Sequence, residues 1–180
     1  MELKIALGLA QLFSTIVFVC AARWYVAPWL VRQQRTAALV ALLWPHVFRY
    51  VALQSYSAQH AGFPISDAGV ARIVYGDVAG AVLAIVAIVA LRYKLRGGIA
   101  MTWLLLLMTI IDTVANVSNG IRENLFGAAT GVTWMVVAFY VPFLIVTLGL
   151  TAWQLYSRYG QPIRDTSGVG PIGARHASAV

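Results

Sequence analysis

Charge is what this 180-residue sequence has least of. Only 11% of its residues are charged and 61% are hydrophobic, where soluble domains carry about 25% charged residues. An ordinary water-soluble domain is therefore excluded. There is one cysteine, Cys20, inside the first apolar run, so no internal disulfide can form, and its position suits a small apolar filler. Lysine is confined to Lys4 and Lys94, both at ends of apolar runs, which leaves no buried amine for a retinal Schiff base. No HExxH, P-loop, CxxC or GxSxG spacing occurs, so the common metalloprotease, nucleotide, thiol-redox and hydrolase signatures are missing. The internal repeat that marks many transporters is missing too. No metal, cofactor or catalytic residue is assigned. Haem held by two histidines would need both at one depth, and only His46 lies inside an apolar run. His60 falls in a connection and His176 in the tail.

What remains is a series of apolar stretches with basic flanks. They predict an all-α integral membrane protein, a bundle of five transmembrane helices over about 3–30, 36–59, 68–91, 99–119 and 132–155. Each is long enough for a hydrocarbon core of about 30 Å. The apolar stretch from Ile5 to Ala22 is longer than a signal-peptide core and reads as an uncleaved helix. Asp67 is a plausible N-cap for the third span. Residues 1–159 form the membrane domain, and 160–180, rich in Gly, Pro and Ser, read as a disordered cytoplasmic tail. The +7 formal charge would suggest nucleic acid in a soluble protein. Here the basic residues flank apolar runs, so they set topology and meet anionic lipid.

Five spans put the termini on opposite sides. One side collects nine basic residues, among them Arg23, Arg35, Arg92, Lys94 and Arg158, against Asp165 alone, for a sum of +8. The other side holds four basic and five acidic residues, for −1. The positive-inside rule then puts the N-terminus outside and the C-terminus in the cytoplasm.

The second stretch carries Pro45, His46, Arg49 and Gln54 within its apolar run, and such groups are costly in a bilayer unless partnered. Counting from the cytoplasmic ends, Arg49, Asp77, Asp112 and Tyr140 each lie 14 or 15 residues up their spans. At about 1.5 Å per residue all four fall roughly 21–23 Å from the inner boundary, in one plane of the outer third. Two stripes support this layer: His46, Arg49, Tyr50 and Gln54 on the second span, and Asp112, Asn116, Asn119 and Glu123 on the fourth. Gly76, Gly80 and Ala84, at steps of four, form a small-residue seam suited to close helix approach. Pro45 and Pro142 can kink their helices toward the same interior.

The expectation is a buried polar pocket of His46, Arg49, Gln54, Asp77, Asp112, Asn116 and Tyr140. It would bind or transport a small molecule or proton, with Arg49 paired to Asp77, Asp112 or both and His46 as the titrating member. One alternative is a membrane-embedded enzyme acting on a lipid or isoprenoid, with His46 and an Asp as acid and base. Another is an assembly subunit whose ion network is purely structural. Expected partners are the bilayer, anionic lipids at the cytoplasmic face and a small-molecule ligand, with self-association left open and no nucleic acid.

Overall fold

The computed structural model describes residues 2–160; the tail expected beyond Gly160 lies outside them. Among the described residues every regular element is helical. Five helices are long and apolar enough to cross a membrane: α1 (Leu3–Arg32), α2 (Arg35–His60), α3 (Asp67–Arg92), α4 (Gly98–Arg122) and α5 (Gly131–Ser157). Each overruns its expected span by up to three residues at an end. The helices do not stop where hydrophobicity stops, and α1, α3 and α4 all finish on an arginine, a residue favoured by the negative end of the helix dipole.

The start of α3 differs from expectation. Ser66, not Asp67, is the N-cap: its backbone is extended and its Oγ accepts from the Gly69 N–H at 3.0 Å. Asp67 instead sits in the first turn, where its carboxylate accepts from Gln59 Nε2 at 2.8 Å. A serine in extended geometry reaches the third N–H of the helix, so the cap falls one residue earlier.

The prolines mark local departures from α-helical winding. In α1 a π-helical turn, Ala22–Val26, ends two residues before Pro28, and in α5 another, Val136–Tyr140, ends two residues before Pro142. A proline supplies no N–H to the preceding turn, and the wider winding absorbs that gap. In α2 the turn before Pro45 stays α-helical. After Pro45 the chain tightens into a 3₁₀ stretch, Phe48–Leu53, with three residues per turn.

α3 is the central helix, packed on α2 and on α4; α2 also packs on α5, and α1 lies against α5. At one end of the bundle Leu39, Leu43, Ala84, Leu91, Leu105 and Leu155 form an apolar core. At the other end Ile65, Val70, Val74 and Leu125 form a second. The polar layer lies between them.

Candidate functional site

The 3₁₀ stretch aims Arg49. With three residues per turn, His46, Arg49, Ala52 and Ser55 stack on one face, and all four are buried. Tyr50 and Leu53 turn outward, each 49% exposed. The α-helical stripe expected through Tyr50 is thus corrected, because the period over Phe48–Leu53 is three rather than 3.6.

Arg49 is 2% exposed and its guanidinium is shared among three acceptors. Nε donates to Asp77 Oδ1 at 2.7 Å, Nη1 to Thr109 Oγ1 at 2.9 Å, and Nη2 to Asp112 Oδ2. Three helices are joined through one side chain. A planar guanidinium with donors fixed in a fork suits this task, whereas an ammonium would not. Asn116, one turn along α4, donates from Nδ2 to Asp112 Oδ2 at 3.2 Å. Its Oδ1 is buried with no partner among the described residues. Because a carboxylate can only accept, the Asn116 amide is oriented by that bond.

Two glycines make room for the group. A Cβ on Gly80 would fall on the Arg49 guanidinium, and one on Gly76 would fall on the Asp112 carboxylate. The seam expected to bring helix backbones together instead holds two polar side chains. Only Ala84, lower on α3, belongs to the apolar core.

A cavity of ≈ 190 Å³ adjoins this cluster, and Arg49, Asp77, Thr109, Asp112 and Asn116 all line it. Gln54 and Tyr140 line it too. Gln54 Oε1 accepts from Thr133 Oγ1 at 3.2 Å, and the Tyr140 hydroxyl donates to the Pro45 carbonyl at 2.8 Å. The opposite wall is apolar, with Val136, Val141, Leu144 and Leu148 from α5. Ile65 and Leu125, both buried, close the end nearest the connections. Among the described lining residues, only Val117 of α4 and Ile145 of α5 are exposed, at 44% and 49%. The thin side of the cavity is therefore the α4–α5 gap.

The structure brings together six of the seven residues singled out from sequence. His46 stands apart: it does not line the cavity, its Nε2 lies 3.5 Å from Thr147 Oγ1, and its Nδ1 has no partner among the described residues. One contributor, Thr109, escaped sequence reading. Thr109 lies one turn before Asp112 on the same stripe, so extending that stripe backward would have found it. Gly76 and Gly80, expected in a helix-packing seam, instead make room for Asp112 and Arg49.

An all-helical bundle with five apolar helices around a buried ion cluster is compatible with a multi-pass membrane protein. Residues 6–156 match a family described as a domain of unknown function, DUF8737, and the chain belongs to that family. No curated protein and no solved structure matches the chain significantly.

Proposed function

We propose that the cavity binds the polar head of an amphipathic, membrane-resident molecule that reaches it from lipid through the α4–α5 gap. The observation that carries this reading is a charged wall on a cavity with a thin side: Arg49, Asp77 and Asp112 all line it, and its exposed described lining residues are Val117 and Ile145. A cavity of ≈ 190 Å³ takes a head group and a few methylenes, below the usual range of about 300–1,000 Å³ for drug-sized ligands. The tail would remain in the bilayer.

The head should donate hydrogen bonds or carry positive charge. Arg49 is occupied by this chain's own carboxylates and is nearly inaccessible, whereas Asp77 and Asp112 keep 20% and 16% side-chain exposure. With both carboxylates ionised the cluster sums to one negative charge, and the free oxygen of Asn116 adds an acceptor. A hydroxyl or ammonium head complements this wall, and a phosphate meets repulsion. A purely structural ion network would call for no space beside the charges. An enzyme using His46 as acid or base would need that ring at the cavity, and it lies against Thr147 instead. Binding or carriage is thus favoured over catalysis.

The orientation belongs to the same proposal. The +8 to −1 charge split supports an outer N-terminus and a cytoplasmic C-terminus, which sets the cavity in the outer half of the bilayer.

The test uses single-chain amphiphiles of one length. Hexadecylamine and hexadecanol should raise the unfolding temperature of the detergent-solubilised protein, and hexadecyl phosphate should not. Asp112→Asn should remove the amine effect. Equal responses to all three, or preference for the phosphate, would overturn the proposal.

A further inference from the structure

We infer that a second site, a groove between the Arg35 end of α2 and the Arg92 end of α3, holds one anionic phospholipid. Its volume is ≈ 680 Å³ and it is separate from the Arg49 cavity, with no lining residue in common.

The groove has the two-part chemistry of a phospholipid. Its floor is apolar, with Val40, Ala41, Ile88 and Val89 running along the two helices toward the bundle middle and Trp44 beside them. An acyl chain lies naturally in such a trough. Its rim, at the helix ends, carries Arg92, Lys94 and the Thr36 hydroxyl. Two cations and a donor face the level where a lipid phosphate sits, and no described lining residue is acidic. Basic pockets between membrane helices at a headgroup boundary suit anionic lipid heads. Tyr93, 76% exposed on the same rim, is placed as interfacial aromatics are.

The backbone presents Lys94 in an uncommon way. The Lys94 N–H bonds to the Leu91 carbonyl at 3.1 Å and the Leu95 N–H to the Ala90 carbonyl at 2.8 Å. These two bonds form a Schellman turn, whose left-handed position usually holds glycine. Lys94 occupies it with φ 53°. Glycine would fit that backbone with less strain, so the turn itself gives no reason for a lysine, and the lining of the groove gives one. A backbone outlier of this kind points to a function for the side chain.

A second copy of the chain is the less suitable occupant. The same end of the bundle carries Arg23, Arg32, Arg35, Arg96 and Arg158, so a self-contact there would set cations against cations.

The strain at Lys94 gives a clean test. Lys94→Gly relieves the turn while removing the charge, and Arg92→Gln removes the other charge from an exposed side chain. Native mass spectrometry would compare phosphatidylglycerol with phosphatidylcholine of identical chains on the purified full-length protein. The unaltered chain should prefer phosphatidylglycerol, and the double variant should lose about fivefold of that preference per charge removed while staying folded. Arg23→Gln and Arg96→Gln, off the groove, should keep it. An unchanged preference in the double variant, an equal loss in the off-groove variants, or a lipid-free dimer in place of the adduct would overturn the inference.

Discussion

The guanidinium of Arg49 lies so close over the Cα of Gly80 that a Cβ at position 80 would overlap it, and one of the two would have to move. Two residues from different helices thus define one feature, since the cation is buried only because α3 carries no Cβ beneath it. Gly76 stands in the same relation to Asp112. The glycines are part of the polar cluster.

Gly80→Ala should therefore displace Arg49 and destabilise the protein by roughly 1–3 kcal/mol, the usual range for overpacking. Gly149 lies in α5 with nothing within 4 Å of an added Cβ. Gly149→Ala should be neutral, or stabilising by up to about 1 kcal/mol through helix propensity. Thermal unfolding of both variants in one detergent gives the comparison, and equal effects would remove the role assigned to Gly80.

Much of this arrangement was legible in the sequence, and the failures have identifiable causes. Counting residues along each span brought Arg49, Asp77 and Asp112 to one depth, because rise per residue varies little among helices, and all three meet. Azimuth was harder to read. From Phe48 to Leu53 α2 runs with a three-residue period, and that rotation sends Tyr50 outward while bringing Ala52 and Ser55 in. The Gly76–Gly80 spacing was visible, yet spacing does not say whether a backbone or a side chain fills the space. His46 shares a helix face with Arg49 but sits one turn away, and at that height the neighbour is Thr147 of α5.

The link between Ser66 and Glu123 should make stability pH-dependent. The Ser66 N–H and hydroxyl donate to the Glu123 carboxylate at 2.9 and 2.8 Å, tying the start of α3 to the end of α4. Those bonds, the backbone one foremost, hold the Glu123 carboxyl below the usual carboxylate range. A carboxyl depressed by folding contributes stability that is present above its unfolded pKa and lost as pH falls through the folded one. The unfolding temperature should fall as pH drops below about 4.5, and Glu123→Gln should flatten that part of the profile. Ser66→Ala should cost about 1 kcal/mol at neutral pH through loss of the cap. A Glu123→Gln profile parallel to that of the unaltered chain would exclude the link as its source.

Orientation can be read with reporter fusions. A phosphatase or fluorescent reporter after Gly98 or at the C-terminus should register as cytoplasmic, and one at Gly62 as external. Reducing the charge bias should weaken this: Arg92→Glu with Arg96→Glu lowers the +8 side to +4 and should give a minority of molecules in the opposite orientation. An external reporter at Gly98 in the unaltered chain would invert the scheme and move the Arg49 cavity to the other leaflet.

The ion cluster itself yields to a mutant cycle. Arg49→Ala leaves Asp77 and Asp112 facing each other without a counter-charge, and breaking a buried pair in this way costs about 3–5 kcal/mol. Asp77→Asn with Asp112→Asn also breaks the pairing, because a buried guanidinium then keeps only neutral acceptors. Once the carboxylates are neutral, however, loss of Arg49 strands no anion. The triple variant should accordingly be more stable than the two sets of losses added together, by on the order of 1–3 kcal/mol. Arg49→Lys belongs in the same series. A lysine restores the charge but cannot reach Asp77, Thr109 and Asp112 as one planar fork, so it should recover only part of the loss. Strict additivity, or full recovery by lysine, would mean that the three helices are not joined through the Arg49 guanidinium.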